Sequence, residues 1–338
     1  MKLYGAIDLH SNNSFTVLLD EKDQVVYMKR LPNDLATILK QLVPYRDHIE
    51  GIAVESTFNW YWLVDGLMEA GYKLHLVNTT AVQQYNGLKF TDDESDARWL
   101  AQLLRLRILP EGYIYPRGMR GLRDLLRKRS QLVRQRTTQI LSVQNLMSRN
   151  TGQSMSGKAI NQLDLTEIEK MNADPNRTLA ITSNLTVMHC LDEQIARLEK
   201  TIMRQAKLRP EFEPLLSVDG IGNILGMTIM LETGDINRFP DVGNFASYCR
   251  CVGTTKMSNF KKKGEGNRKN GNKYLAWAFV EAAHFAVQAN ERIRKFFQRK
   301  AAKKNKIIAI KAVAHKLARA SYHVMKNQTE FDVTKAFA

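Results

Sequence analysis

The stretch "LYGAIDLHSNNSFTVLLDEKDQVVYMKRL", residues 3–31, decides the fold of the first part of the chain. It holds three short apolar runs, and the turn-forming Ser-Asn-Asn between the first two makes them a hairpin. Downstream, "NDLATILKQLVPYR" has apolar residues at helical spacing behind an Asn-Asp start. "IEGIAVEST" reads as a buried strand, "WYWLVDGLMEAGY" as a helix ended by Gly71, and "KLHLVNT" as a further strand. Three strands, helix, strand, helix, strand predicts a mixed α/β sheet.

Two carboxylates stand out against this pattern. Asp8 lies inside the apolar strand "AIDLH", and Glu55 ends the strand "IAVEST". An ionised carboxylate buried without a partner is destabilising by several kcal/mol at least, on the order set by ion desolvation, so each needs a cation or strong hydrogen bonds. If the two strands are neighbours, both acids reach one sheet edge. A third group follows in "KFTDDESDARWLA", residues 89–101, where four acids occupy five positions at the start of a helical run. Asp93 and Asp96, at i and i+3, share a helix face, and Asp92 with Asp96 is an alternative pair, while Glu94 points elsewhere. A solvated helix entry explains any one of these acids. The set on three elements repels itself unless a divalent cation sits among it, and oxygen donors of this kind suit Mg2+ or Mn2+.

The 338 residues allow two or three domains, here placed at 1–110, 111–208 and 209–338. Hydrophobic content of 44% with 25% charged residues is that of folded protein. Fifty Lys+Arg against 34 Asp+Glu, a formal charge of +16, point to a polyanionic partner. Three cysteines, two of them one residue apart, form neither a disulfide framework nor a zinc site and are expected to be reduced. The start reads directly as a strand, and no apolar run approaches the roughly 20 residues of a membrane span, so a cytoplasmic protein without membrane contact is expected.

The middle of the chain predicts two long helices, about 117–149 and 178–207, folded back as an antiparallel, coiled-coil-like arm. The first is dense in arginine, and Arg123, Arg127 and Arg134 are taken as a nucleic-acid face in preference to a merely solvated one. Beyond it, "PLLSVDGIGNILGMTIMLETGDINRF" places Gly220-Ile221-Gly222 before a helix. Such a helix-hairpin-helix-like turn can offer backbone N–H groups to phosphate, although a plain tight turn explains it equally well. The rest of the C-terminal region is mainly helical, broken by the basic stretch "SNFKKKGEGNRKNGNKYL".

The order of these parts resembles a known family over nearly the whole chain. Asp8 in "GAIDLH", Glu55 in "AVEST" and Asp93 and Asp96 in "TDDESDARWLA" look like the acidic tetrad of a RuvC-like domain of ribonuclease H fold. "LLSVDGIGNILGMTIMLETGDINRF", "FASYCRCVG" and "GNRKNGNKYLAWAFVEAA" look like the C-terminal domain of the DEDD transposases, the family of Piv-type DNA invertases and of insertion-sequence transposases guided by a bridge RNA. The resemblance implies that the tetrad binds metal and that a serine of the C-terminal domain attacks DNA. Counted back from Gly271-Asn272, that serine is Ser258, with Thr254 and Thr255 as lesser substitutes. Family members often read Ser-Gly here, whereas this chain reads Ser258-Asn259-Phe260. Lys261, Lys262, Lys263, Arg268 and Lys269 would hold the DNA backbone.

The expected activity is site-specific recombination or transposition of an insertion sequence through a phosphoserine intermediate. The expected partners are target and donor double-stranded DNA, a structured guide RNA and further copies of the chain, as a dimer or tetramer in the prokaryotic nucleoid. The alternatives are a junction-resolving nuclease that uses water and a non-catalytic nucleic-acid-binding protein. A sugar kinase of actin-like fold shares the strand–acid opening, but the glycine-rich phosphate loops of that fold are missing.

Overall fold

In the computed structural model the opening stretch forms β1 (Leu3–Leu9), β2 (Asn13–Leu19) and β3 (Val25–Pro32), joined by β4 (Ile49–Glu55) and β5 (Leu74–Val77) into one sheet of order β3-β2-β1-β4-β5. Strand β1 runs antiparallel to β2 and parallel to β4. The structure describes residues 1–82, 92–171, 174–206, 209–265 and 270–338, and these divide into two compact units, Met1–Arg117 and Gly118–Ala338.

Both faces of the sheet in the first unit are covered, which is why its central strands are apolar almost throughout. On one face Ile7, Leu9, Ile52 and Val54 pack with Ile38 of α1 (Leu35–Leu42) and with Leu63, Val64 and Leu67 of α2 (Tyr61–Glu69). On the other, Ala6, Val17 and Ala53 meet Ala97, Leu100 and Ala101 of α3 (Asp93–Arg105). Side chains alternate along a strand, so Asp8 and Glu55, two residues beyond Ala6 and Ala53, fall on the α3 face. The small alanines let α3 approach the sheet, and its acidic first turn arrives over the strand ends.

The second unit begins with the arm. Helix α4 (Arg117–Thr151) is 35 residues long and returns through α5 (Gly157–Ile160) and α6 (Leu165–Met171) into α7 (Pro175–Ala206). Arg129 Nη2 lies 2.7 Å from Glu199 Oε1, and Arg136 is ion-paired with Asp192. Seven residues forward on α4 thus match seven backward on α7, an antiparallel register. Further along, Val143 and Met147 pack against Ile181, Leu185 and Met188.

At its base the arm joins the main core, where Leu122, Leu126 and Ile202 pack with Phe212 of α8 (Phe212–Leu216), Met227 of α9 (Asn223–Thr233) and Phe245 of α10 (Val242–Tyr248). Helices α11 (Lys273–Ala289), α12 (Glu291–Lys303), α13 (Lys306–Asn327) and α14 (Val333–Ala336) complete the layer around Phe279, Leu317 and Tyr322. Gly220 has φ +84°, and a Cβ there would stand 2.2 Å from the carbonyl oxygen of Ala282. Gly220 is therefore required by the close approach of the chain to α11, whereas a Cβ at Gly222 would meet nothing within 4 Å. Cys249 is buried and Cys251 half-buried, both are free thiols, and burial pushes Cys251 up to about 12. Among the described residues no helix is long and apolar enough to cross a membrane.

One small sheet stands outside this core. Strands β6 (Lys256–Ser258) and β7 (Lys261–Gly264) form a hairpin in which Ser258 pairs with Lys261. The two turn residues, Asn259 and Phe260, have φ of +49° and +57°. Positive φ at both positions is what a two-residue type I′ turn demands. Asparagine tolerates it; a bulky residue is strained there, by about 1–2 kcal/mol.

Candidate functional site

Ile7 pairs with Val54, and one residue further on each strand stand Asp8 and Glu55. Adjacent parallel strands thus present both carboxylates side by side, and Asp96 descends on them from α3. The three line one cavity of about 240 Å³, walled by Val77, Thr79, Val82, Trp99 and Leu100. Asp8 is buried, with 5% of its surface exposed. Desolvation, a hydrogen bond with Asp8 and the charges of Asp8 and Asp96 push the Glu55 carboxyl up to about 8. Glu55 therefore holds its proton more tightly than an ordinary glutamate, and a divalent cation in the cavity would compete with that proton.

Asp93 has different neighbours. Its Oδ2 lies 2.6 Å from Arg30 Nη2 and 3.3 Å from His10 Nε2, and the same His10 nitrogen is 3.4 Å from Asp8 Oδ2. One donor atom from each of Asp8, His10 and Asp93 lies within 4.8 Å of the other two. Carboxylate oxygens with at most one imidazole fit Mg2+ or Mn2+ better than a thiophilic metal. Sequence reasoning missed His10, although Asp8 and His10 at i, i+2 in extended chain share a face.

Asp92, the alternative partner for Asp96, does something else. It is the N-cap of α3: Oδ1 accepts from the Ser95 backbone N–H at 2.8 Å, and Ser95 Oγ accepts from the Asp92 N–H at 2.9 Å. This reciprocal capping box fixes where the helix starts, and so where Asp93 and Asp96 point. Glu94 is exposed.

Ser258 belongs to the second unit, at the exposed end of β6, beside exposed Lys261, Lys262 and Lys263. Thr254 and Thr255 instead line a cavity of about 900 Å³ with Arg250, Lys262, Asn270 and Lys311. Arg268 and Lys269 lie outside the described residues.

The arginine face of α4 requires a correction. Arg134 is exposed, but Arg123 is buried and Arg127 is bound to a buried acid. Arg127 Nε and Nη2 donate to the two carboxylate oxygens of Glu232 at 2.7 and 2.8 Å, and the guanidinium sits 4.7 Å from the Tyr274 ring centroid. The remaining oxygen capacity of Glu232 accepts from Asn272 Nδ2 at 2.8 Å. Helical spacing identified the basic residues of α4 but not which of them have an acid opposite in the fold.

Comparison with known proteins agrees with this arrangement. The family model for DEDD transposases of IS110 elements, described as Transposase, matches residues 6–150, and that of the Transposase IS116/IS110/IS902 family matches residues 213–298. An "Insertion element IS110 uncharacterized 43.6 kDa protein" of Streptomyces coelicolor is 29% identical over 124 residues, 37% of this chain and 30% of that protein. A "Probable family 20 transposase" of Pseudomonas aeruginosa is 22% identical over 329 residues, 92% of this chain and 93% of that protein. With both family models matched in order and an acidic cluster formed inside the first of them, the chain belongs to the DEDD transposases of the IS110 type.

Proposed function

We propose that this transposase cuts and rejoins DNA through Ser258, with Asp8, Glu55, Asp93 and Asp96 holding Mg2+ in a RuvC-like domain of ribonuclease H fold. Family membership implies DNA substrates and a divalent metal. The observation that carries the reading is the convergence of Asp8, Glu55 and Asp96 on one cavity, with Asp93 tied to Asp8 through His10.

A cation held by these acids supplies polarisation of a phosphate oxygen and stabilisation of the leaving oxygen. Ser258 Oγ attacks the phosphorus, gives up its proton, and the bond to the leaving sugar oxygen breaks as that oxygen is protonated. The strand is left joined to the protein by a phosphodiester, so a second DNA hydroxyl can reverse the step without an energy source. Lys261, Lys262 and Lys263 hold the flanking phosphates, and Arg134 adds a contact on the arm. A structured guide RNA chooses the target and donor sites, and the active enzyme is a homo-oligomer of two or four chains. In that reading residues 1–110 are the metal-binding domain, 111–208 the arm and 209–338 the serine-bearing domain, with Gly220–Gly222 as a helix-hairpin-helix-like element.

The experiment is a denaturing gel of reactions stalled on nicked or mismatched DNA. The parent gives a protein–DNA adduct whose peptide contains Ser258, and Ser258→Ala gives neither adduct nor cleavage while still binding DNA, because phosphate contacts dominate the interface. Cleavage that persists in Ser258→Ala without any adduct would establish water as the nucleophile instead. Attachment at Thr254 or Thr255 would move the reaction into the neighbouring cavity.

A further inference from the structure

The hairpin tip carries a residue that neither conformation nor packing explains. Phe260 occupies the second position of the turn at φ +57°, where glycine is the residue free of strain, and it is 97% exposed. It thus gains nothing from burial and is unfavourable locally. Its surroundings are mostly basic: residues 256–264 contain Lys256, Lys261, Lys262 and Lys263, all exposed, and the first acid is Glu265 beyond the hairpin. Protein interfaces are enriched in aromatic residues but depleted in lysine, so this combination fits a protein partner poorly. It fits a strand that offers phosphates to the lysines and a flat base to the ring.

The position of the ring also bears on which strand it meets. Ser258 and Phe260 are two residues apart, so their Cα atoms are separated by about 7 Å at most. A DNA strand advances about 3.4 Å per nucleotide. A phosphate in reach of the Ser258 hydroxyl therefore lies within about two nucleotides of a base in reach of the ring.

We propose that Phe260 is a wedge that enters the base stack of the DNA strand beside the phosphate presented to Ser258, unstacking that step. This rests on the serine reading above for the identity of the neighbouring phosphate. The lysines bind the backbone on either side, and the ring opens the stack so that the phosphate turns outward. Phe260 positions DNA; it takes no part in bond making.

The test uses the full chain carrying Ser258→Ala, purified with any RNA it retains, so that no reaction intervenes. The probe is duplex DNA spanning the junction of the element with its flank, with 2-aminopurine placed singly at successive positions. Its fluorescence rises when the base loses a stacking neighbour. Binding should raise the signal several-fold at one or two adjacent positions. Phe260→Ser should abolish that rise while affinity, read by gel shift, falls by roughly 5- to 150-fold, the order of one ring–base stack. Phe260→Trp should restore it. Phe260→Gly, which suits the turn, should also lack the rise without lowering the melting temperature, separating a lost wedge from a damaged hairpin.

An unchanged rise in Phe260→Ser, or no rise in the parent, overturns the proposal. So does a defect seen only with the copurified RNA as ligand, which would give the ring to that RNA. Failure of the serine reading is distinguishable, because an adduct on Thr254 or Thr255 leaves the fluorescence result intact.

Discussion

Asn272 and Arg127, on different helices of the second unit, grip the same buried carboxylate, Glu232, whose side chain is 1% exposed. Asn272 is also the N-cap of α11, accepting from the backbone N–H of Tyr274 and Leu275. The base of the arm, the end of α9 and the start of α11 are therefore fixed through one acid.

Removing Arg127 strands a buried charge, whereas removing Glu232 leaves a guanidinium that is about a third exposed. Arg127→Ala should lower stability by about 3–5 kcal/mol, Glu232→Ala by less, and the double variant by less than the two together. Urea denaturation of the four proteins measures this. Additive losses would mean that Arg127 and Glu232 act independently. Arg134→Ala should be nearly neutral in the same assay, because the residue is exposed and packs into no core.

Glu55 gives a pH dependence of defined sign. Its folded-state carboxyl is raised to about 8 from the usual 4.5, so the folded protein binds this proton more tightly than the unfolded chain does. The contribution is full below about 4.5 and is lost as pH rises through about 8. Without metal, the melting temperature of Glu55→Gln minus that of the parent should therefore increase between those two pH values. Saturating Mg2+ should reduce the difference by stabilising the parent. A difference that is flat with pH would place Glu55 in a solvated setting.

His10 separates two cations. An imidazole nitrogen suits Mn2+ better than Mg2+. His10→Ala should thus weaken Mn2+ binding by roughly 10- to 100-fold, the range seen when a ligand or its support is removed, and Mg2+ binding by less. Isothermal titration with each metal reads the difference. Equal losses for both ions would restrict His10 to its contacts with Asp8 and Asp93.

The lysines of the hairpin should appear in the salt dependence of DNA binding. Each phosphate contact contributes about 0.9 to the slope of log affinity against log salt. Replacing Lys261, Lys262 and Lys263 by glutamine should reduce the slope by up to about 2.7, three such contacts. An unchanged slope would remove the hairpin from the phosphate-binding surface.

The sheet was legible because β1, β2 and β4 are largely apolar runs, and the acids that interrupt them, Asp8 and Glu55, are also those of the candidate site. The long helices were legible for the same reason of periodicity. What composition concealed was pairing: the charge pattern of α4 does not reveal that Arg127, Arg129 and Arg136 face Glu232, Glu199 and Asp192. Such partners lie 56 to 105 residues away and meet only through tertiary structure. His10 was passed over because its role depends on α3 delivering Asp93 beside it. The β6–β7 hairpin was passed over because Asn-Phe at its tip replaces the Asn-Gly that marks such turns in sequence.

The constant register of α4 against α7 makes the arm a ruler with interchangeable graduations. Each residue is worth about 1.5 Å, so excising seven residues from both helices at matched positions shortens it by about 10 Å and leaves every remaining cross-pair in place. Excising seven from α4 alone, between Arg136 and the tip, would slide the base of the helix by one heptad, bringing Arg129 opposite Asp192 and leaving Arg136 and Glu199 without their partners. Arm length can thus change in whole heptads without any change in the acids of the first unit or the hairpin. The reach of the arm is then a dimension that can be altered separately from the rest of the fold.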